Sequence, residues 1–359
     1  MNRVEVSAPG KLLLIGEYAV LDGASALVMA VDRRVHVVVA PAAKRPGRLH
    51  APQLGIHREP MMIENGVLRC PGRPQDDLGP TARMIPGIVR SLGREPEEIT
   101  NLDLEIDSGE LFESGGDSPV KLGLGSSAAV GAALALALET WFEAGRPEPQ
   151  AERLLQRWLP VYRSALGGSA SGADLAASFR GGLTEFRIAG GQARCRAMTW
   201  PEGLCWRAVW VGHAARTPDF VGAYERWKRA APEAARQFGA RLGQVAQRAV
   251  AGCSDVAVLV EACAEYAELL VALGDAMDLQ IMSAPHRRLA ELGRDCGVVY
   301  KSCGAGGGDL GIALATDPER LAAFEKGLSD CAGVPLDLNV SNSGASIVTR
   351  RSPGAGASE

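Results

Sequence analysis

The sequence predicts an α+β fold built in two parts. Val-rich, partly alternating segments near the start of the chain are typical of strands, as at residues 34–40. An Ala- and Leu-rich segment at residues 126–142 is typical of a helix. Beyond residue 190 long helical patterns dominate, and a chain of 359 residues is long enough for two domains.

The first part is expected to hold most of the strands. Pro9 and Gly10 separate the first two, and a Gly-rich stretch precedes the helix at 126–142. Strands are predicted at 4–6, 11–15, 27–31, 34–40, 62–68 and 102–106, and helices at 81–92, 126–142 and 151–165.

In the second part long helical patterns come first, and Pro232 interrupts one of them. Helices are predicted at 224–253, 255–279, 285–295 and 318–329, and strands at 298–302, 310–315, 336–340 and 345–348. The expected domains are residues 1–190 and 191–350, followed by a disordered tail at 351–359.

Composition and charge narrow the class of protein. Hydrophobic residues make up 47% and charged residues 22%, as in a globular protein with a real core. The net charge of -4 argues against a nucleic acid or an anionic membrane as partner. Eight cysteines without a CxxC pair indicate neither a zinc site nor a disulfide framework. No apolar run is long enough for a membrane helix or a signal peptide. Together with the scattered cysteines this predicts a cytoplasmic protein, which we expect to be a monomer or a homodimer.

The first motif is a lysine among apolar residues, Lys11 in the segment APGKLLLIGEY at 8–18. Burying an ammonium group without an anion is costly, so Lys11 is expected to have an anionic partner. That partner is either a ligand or a carboxylate in a structural ion pair.

The second motif is KLGLGSSAA at residues 121–129, followed at once by a helix. A helix N-terminus has free N–H groups, glycines let the backbone approach an anion closely, and two hydroxyls add donors or a metal ligand. The motif therefore predicts a phosphate site, although the serines alone would also suit a helix cap. It lacks the GK[ST] of a Walker A loop. It matches a dinucleotide fingerprint only formally, because the nearest downstream acid, Glu139, lies within the helix.

Two further glycine-rich loops carry acidic residues. The first, KSCGAGGGD at 301–309, lies between two predicted strands and ends on Asp309. Four glycines in five residues indicate close approach to a ligand or to another backbone, although Asp309 also suits a simple turn. The second, GGSASGAD at 167–174, places Asp174 at the start of an Ala-rich segment, where it is a catalytic candidate or a helix N-terminal acid.

These four motifs, in their order along the chain (8–18, 121–129, 167–174 and 301–309), resemble the GHMP kinase superfamily over roughly residues 5–349. The resemblance implies an N-terminal domain like ribosomal protein S5 domain 2 and a ferredoxin-like C-terminal domain, with ATP and substrate in the cleft between them. It also implies phosphoryl transfer from ATP to a small anionic metabolite, with ATP and Mg²⁺ as cofactors.

The resemblance also assigns site residues. Asp174 is implied as the catalytic acid–base and Lys11 as its partner near the accepting oxygen, with Ser127 or Ser126 as a Mg²⁺ ligand. ATP and phosphate binding is implied for Lys121, Gly123, Leu124, Gly125, Ser126, Ser127 and Ala128. Substrate binding is implied for Lys11, Glu17, Tyr18, Ser171, Gly172, Lys301, Ser302, Gly304, Ala305, Gly306, Gly307 and Asp309.

Within the superfamily, Lys121, Lys301, Asp309 and the segment at 30–33 are most similar to the phosphomevalonate kinase branch. Its substrate would be 5-phosphomevalonate, and the lysines would supply cations for the extra phosphate. Two features of the sequence depart from the family's usual pattern. GGSASGAD replaces the commoner GxGSGxD run, and Arg163 and Ser164 occupy the place where mevalonate kinases have a Glu magnesium ligand and a His. A mevalonate kinase, another small-alcohol kinase, a decarboxylase of this fold, a metabolite sensor and a dehydrogenase remain alternatives.

Overall fold

The computed structural model describes residues 3–74, 77–113, 120–143, 150–168, 170–212 and 217–351. Strands and helices are mixed along the chain, as an α+β fold requires. The strands are β1 (Arg3–Ile15), β2 (Ala26–Pro41), β3 (Arg48–Ala51), β4 (Ile56–Pro60), β5 (Met62–Glu64), β6 (Val67–Arg69), β7 (Leu102–Asp107), β8 (Phe112–Glu113), β9 (Val120–Lys121), β10 (Leu183–Ala189), β11 (Gln192–Met198), β12 (Cys205–Trp210), β13 (Val299–Ser302), β14 (Leu310–Ala315), β15 (Val334–Leu336) and β16 (Ser346–Arg351).

The helices cover both parts of the chain. They are α1 (Thr81–Ser91), α2 (Ser126–Phe142), α3 (Ala151–Ala165), α4 (Ala173–Arg180), α5 (Thr217–Ala230), α6 (Pro232–Ala251), α7 (Val256–Met277), α8 (Ala284–Cys296) and α9 (Pro318–Lys326). None of those in the described parts of the chain combines the length and the apolar character that a membrane crossing requires.

The larger sheet is organised around β2. This long strand pairs with β1 along one edge. Along its other edge it pairs with β10 through its first residues and with β7 through its last ones. The strand order is β11-β10-β2-β7-β3-β4, with β1 joined to β2 and to β16. Since β1 is flanked by β16 only as far as Ser7, its outer edge is open to other backbone from Pro9 onward.

The helices α2 and α4 pack against the larger sheet and carry two of the predicted motifs. Both contact β1 and β2. Most side chains of α2 are buried, which explains why its sequence is apolar on every face. The elements that carry these two motifs are therefore in contact with β1.

The smaller sheet has the order β13-β14-β12-β15 and is antiparallel. Helices α8 and α9 pack against it, and α7 contacts both β13 and β1. The Tyr266 hydroxyl of α7 donates to the Glu17 carbonyl oxygen at 2.6 Å. One continuous apolar core therefore joins the two sheets. The predicted α+β class is confirmed.

Several predicted boundaries were wrong. The strands predicted at 4–6 and 11–15 form one strand, because Pro9 and Gly10 fit a register shift rather than a turn. The pieces predicted at 27–31 and 34–40 are likewise the single strand β2. The strand expected at 62–68 is a hairpin, β5–β6, whose turn residues Asn65 and Gly66 both have positive φ.

In the second part the helix expected at 224–253 is two helices, because Pro232 starts α6 and cannot continue α5. The strand expected at 336–340 lies earlier, at β15. No strand was predicted where β10, β11 and β12 lie.

The expected domain boundary near residue 190 stays a prediction. The larger sheet continues past that residue through β11, and its edge strand β16 comes from the C-terminal end of the chain. Most of the tail expected at 351–359 lies outside the described residues.

Candidate functional site

The glycine bend at residues 123–125 lies directly on β1. The backbone N–H of Lys11 donates to the Leu124 carbonyl oxygen at 2.8 Å, beyond the stretch that pairs with β16. Gly10 leaves the space for this approach, since a Cβ there would lie 2.9 Å from the same oxygen. Strand β1 therefore fixes the position of the bend.

The two glycines of the bend contact side chains from distant parts of the chain. A Cβ on Gly125 would lie 2.8 Å from Cε of Lys11, and a Cβ on Gly123 would lie 2.5 Å from Cβ of Asp309. Both glycines have left-handed φ values, 75° and 81°, which side chains rarely adopt. The structure thus brings Lys11, the bend and Asp309 together at one place.

The N-terminus of α2 follows the bend and is open to an anion. Gly125 is the N-cap, and no side chain caps the helix. The first-turn N–H groups of a helix lack carbonyl partners within it and carry a partial positive charge. Ser126 and Ser127 are partly buried in this turn, whereas Leu124 and Ala128 are buried and can offer backbone atoms alone. Lys121 is exposed at the end of β9.

Asp174 lies in the first turn of α4 and is held through both carboxylate oxygens. The Tyr162 hydroxyl of α3 donates to Oδ2 at 2.7 Å, and the Leu175 backbone N–H donates to Oδ1 at 2.8 Å. Since α4 packs against β1, the elements that carry Asp174 and Lys11 are in contact.

Arg163 holds the loop that precedes α4. Its guanidinium donates to the carbonyl oxygens of Ala170 at 2.9 Å and Ser171 at 2.6 Å. Burial lowers the pKa of Arg163, but an arginine remains charged at neutral pH. Arg163, at the place where mevalonate kinases have other residues, is therefore a cation that holds two carbonyl oxygens of this loop. It cannot replace a carboxylate as a metal ligand.

Glu17 and Lys301 form a buried ion pair between the two sheets. Lys301 Nζ donates to Glu17 Oε1, and the two side chains are 0% and 1% exposed. Lys301 also donates to the Ser302 carbonyl oxygen at 2.7 Å. Burial lowers the pKa of Lys301, but the charge and hydrogen bond of Glu17 together with the neighbouring thiols Cys303 and Cys263 outweigh burial, and the net pKa is raised. Lys301 is therefore charged, but its ammonium group pairs with Glu17 rather than with a ligand.

The loop between β13 and β14 is anchored on the end of β1. The Tyr18 hydroxyl donates to the Ala305 carbonyl oxygen at 2.5 Å, and the Gly307 N–H donates to the Ile281 carbonyl oxygen at 2.8 Å. A Cβ on Gly307 would overlap the Phe220 ring at 2.1 Å. Gly307 is therefore needed for close packing of protein against protein, which is one of the two alternatives that the sequence predicted for this loop.

Several residues predicted to contact substrate point elsewhere in this structure. Lys301, Glu17 and Ser302 are buried in the interior, and the Tyr18 hydroxyl is used by the loop. Gly172 packs on α3, where a Cβ would lie 2.4 Å from Leu159, and Ser171 Oγ accepts from the Ala173 N–H at 3.2 Å. Gly304, by contrast, has open space at its Cβ position. The burial of these residues indicates that they stabilise the structure around the site rather than contact a ligand.

The residues that hold the site in place were given no such role from the sequence, although Arg163 was recognised there as a departure from the family pattern. Tyr162, Arg163, Phe220 and Tyr266 all bond or pack against predicted site segments. Tyr162 and Arg163 lie 12 and 11 residues before Asp174 on an amphipathic helix, a signal too weak to distinguish from ordinary core. Phe220 and Tyr266 meet the site through tertiary packing alone.

The residues present fit ATP phosphates and Mg²⁺. The α2 N-terminus suits a phosphate, because it has no side-chain cap and the first-turn N–H groups of a helix carry a partial positive charge. Within the described residues no three His, Cys, Asp or Glu side chains form a metal cluster. Mg²⁺ does not require one, since it usually binds one or two protein oxygens together with phosphates and water. Ser127, in the first turn of α2, carries a hydroxyl oxygen of the kind that such a site uses.

Comparison with known proteins gives the family context. Residues 88–182 match the family described as GHMP kinases N terminal domain. This segment runs from the end of α1 through the bend, α2, α3 and α4, and so includes Asp174. The chain therefore carries a GHMP kinase N-terminal domain.

Relatives and solved structures match much more of the chain. A phosphomevalonate kinase from Streptomyces sp. (strain CL190) is 29% identical over 341 residues, covering 86% of this chain and 88% of the relative. A mevalonate kinase from Bos taurus is 24% identical, covering 97% and 95%. The structure of Streptococcus pneumoniae phosphomevalonate kinase, in complex with phosphomevalonate and AMPPNP, has a TM-score of 0.73 at 19% identity, covering 94% and 99%. This last likeness shows the shared fold.

Proposed function

Since the chain carries a GHMP kinase N-terminal domain, we propose that it is an ATP-dependent kinase that converts 5-phosphomevalonate to 5-diphosphomevalonate. The observation that carries the proposal is the meeting of Lys11, the glycine bend and Asp309 at the open N-terminus of α2. The similarity to a phosphomevalonate kinase over most of both chains supports the choice of acceptor.

Lys11 and Asp174 have complementary tasks in this proposal. Phosphoryl transfer depends mainly on alignment and charge neutralisation. Asp174 orients the accepting oxygen of the substrate or takes its proton, and that oxygen then attacks the γ-phosphorus of ATP as ADP leaves. The Lys11 ammonium, beside the bend, stabilises the charge of the transferring group.

The α2 N-terminus would hold the ATP phosphates in this arrangement. Backbone N–H groups around Gly123 and Gly125 donate to the phosphate oxygens, with hydroxyl donors from Ser126 and Ser127. When bound, Mg²⁺ neutralises phosphate charge, and Ser127 is the protein residue proposed to hold it. Lys121 is exposed at the approach to this site and adds positive charge there.

A second candidate, mevalonate kinase, is favoured by one observation. A phosphorylated acceptor needs more cations than mevalonate does, yet Lys301 is fully buried against Glu17 and cannot supply one. The similarity to a mevalonate kinase over nearly the full length of both chains points in the same direction. The two acceptors differ by a single phosphate, so direct assay separates them.

We also infer a reducing compartment such as the cytoplasm. All eight cysteines are unpaired in the described structure. Unpaired cysteines are typical of reducing compartments.

The test is an ADP-release assay with ATP, Mg²⁺ and each of 5-phosphomevalonate, mevalonate and a panel of sugars. We expect the highest kcat/KM with 5-phosphomevalonate. A higher value with mevalonate would replace the proposed acceptor by the second candidate. ADP release with none of the acceptors would contradict the kinase proposal itself.

A further inference from the structure

Three residues on one face of α3 contact the segment that carries Asp174. Leu159 packs against Gly172, Tyr162 bonds the Asp174 carboxylate, and Arg163 bonds the carbonyl oxygens just before α4. Their spacing of three and four residues puts them on the same face of the helix. Helix α3 therefore holds the segment that carries Asp174.

Tyr162 is held so that its hydroxyl has little freedom. The side chain is 3% exposed. Its ring fits against Gly131 of α2, where a Cβ would come within 3.2 Å of Tyr162 Cδ2. Burial first, and then the negative charge of Asp174, raise the pKa of the Tyr162 phenol well above its usual value. The hydroxyl therefore stays protonated at neutral pH and donates its hydrogen bond to Asp174.

The hydrogen bonds leave the Asp174 carboxylate fixed but still able to act. Tyr162 occupies one lone pair of Oδ2, and the Leu175 N–H occupies one lone pair of Oδ1. A carboxylate has about four such positions, so each oxygen keeps one for another partner. With one bond at each oxygen, rotation about the Cβ–Cγ bond would break both.

We propose that Tyr162 is a positioning residue that sets the orientation of the Asp174 carboxylate for phosphoryl transfer. This inference rests on the catalytic role of Asp174 in the proposed function. A positioned carboxylate has one productive direction, whereas a freely rotating one is productive for only part of the time. A purely structural tyrosine would instead contribute to folding and leave turnover unchanged.

The experiment is a double-mutant cycle with Tyr162→Phe and Asp174→Asn, measured as single-turnover rates at saturating ATP and acceptor. Tyr162→Phe removes only the hydroxyl. We expect it to lower the rate on the order of tenfold in the native background, with the KM for ATP unchanged. In the Asp174→Asn background we expect no further loss, because both changes act through the same carboxylate.

Trp158→Phe is the matched control. It also removes a donor from α3 to a carboxylate, the 2.9 Å bond from Trp158 Nε1 to Glu139 Oε2, but away from the site. We expect it to lower the thermal midpoint without changing the rate. If Tyr162→Phe does not fold, Tyr162→Met serves as a second variant without the hydroxyl.

The outcomes separate the two proposals. An unchanged rate in Asp174→Asn would overturn the role of Asp174 and this inference with it. A large loss in Asp174→Asn, together with an unchanged rate in Tyr162→Phe, would overturn the inference alone. Equal losses from Tyr162→Phe in both backgrounds would do the same.

Discussion

The Lys11 side chain packs against Gly125 so closely that a Cβ at residue 125 would lie 2.8 Å from Lys11 Cε. Lys11 belongs to β1 and Gly125 caps α2, so this contact ties the first strand to the bend before the buried helix. Lys11 can therefore take this position only because residue 125 has no side chain.

Gly125→Ala should displace Lys11 and lower turnover. The left-handed φ of 75° adds a backbone cost of about 1–2 kcal/mol for a residue with a Cβ. We expect kcat to fall by at least about tenfold, as misplacement of a catalytic group does. Steady-state kinetics and urea unfolding measure the two effects.

Gly203→Ala is the control for this substitution. Gly203 has a similar φ, 80°, but nothing within 4 Å of the Cβ position. It should show the stability loss with normal kcat. Normal kcat in Gly125→Ala as well would contradict the role given to the Lys11–Gly125 contact.

Lys301→Met should strongly destabilise the protein. It leaves the Glu17 carboxylate buried without its counter-ion, and Oε2 of Glu17 already has no hydrogen-bond partner among the described residues. Removing one member of a buried pair costs about 3–5 kcal/mol in free energy of unfolding. Urea unfolding measures this.

The control is Lys326→Met, which removes an exposed lysine from α9 and should change the free energy of unfolding by less than about 0.5 kcal/mol. The double variant Glu17→Gln/Lys301→Met should recover part of the loss. If Lys301→Met instead kept its stability and raised the KM for the acceptor, Lys301 would bind substrate, as its sequence motif suggested.

Much of this site was predictable because its chemistry is local in sequence. The α2 helix begins and ends at the residues predicted for it, since a glycine bend, two serines and an apolar run specify a buried helix start. Asp174 and Asp309 stood out for the same reason, as acids at the ends of glycine-rich loops.

The rest depends on tertiary contacts that a single sequence does not record. Lys301 looks the same in sequence whether it faces a ligand or Glu17, a residue 284 positions away. The burial of that pair decides between the two, and only the tertiary contact between β13 and the segment that follows β1 creates it. Continuity of β1 through Pro9 and Gly10 is similar, because the neighbouring strand stabilises a register shift there.

Cysteine reactivity should follow burial and pH. Burial raises the pKa of Cys253 and Cys303 to about 11 and of Cys263 to about 12, because it disfavours the thiolate. At pH 8 these thiols should resist iodoacetamide in the folded protein. Cys205, Cys296 and Cys331, which are partly exposed, should react first. Mass spectrometry of the alkylated peptides measures the order.

The same shifts predict alkaline sensitivity. The folded protein holds these protons more tightly than the unfolded chain, whose thiols have a pKa of about 8.5. Their contribution to stability is therefore complete below pH of about 8.5 and is lost as the pH rises towards 11. Rapid labelling of Cys263 or Cys303 at pH 8 without unfolding would contradict the burial described here.

The central claim is that Asp174 and Lys11 serve one phosphoryl-transfer site, and Asp174→Asn tests it most directly. The measurement is kcat for ADP release with ATP and 5-phosphomevalonate both saturating, beside Asp295→Asn, which changes an exposed acid on α8. We predict a loss of about 10²–10⁴-fold for Asp174→Asn, as for removal of a general acid–base group, and none for the control. A kcat for Asp174→Asn equal to that of the unmodified protein would contradict the account.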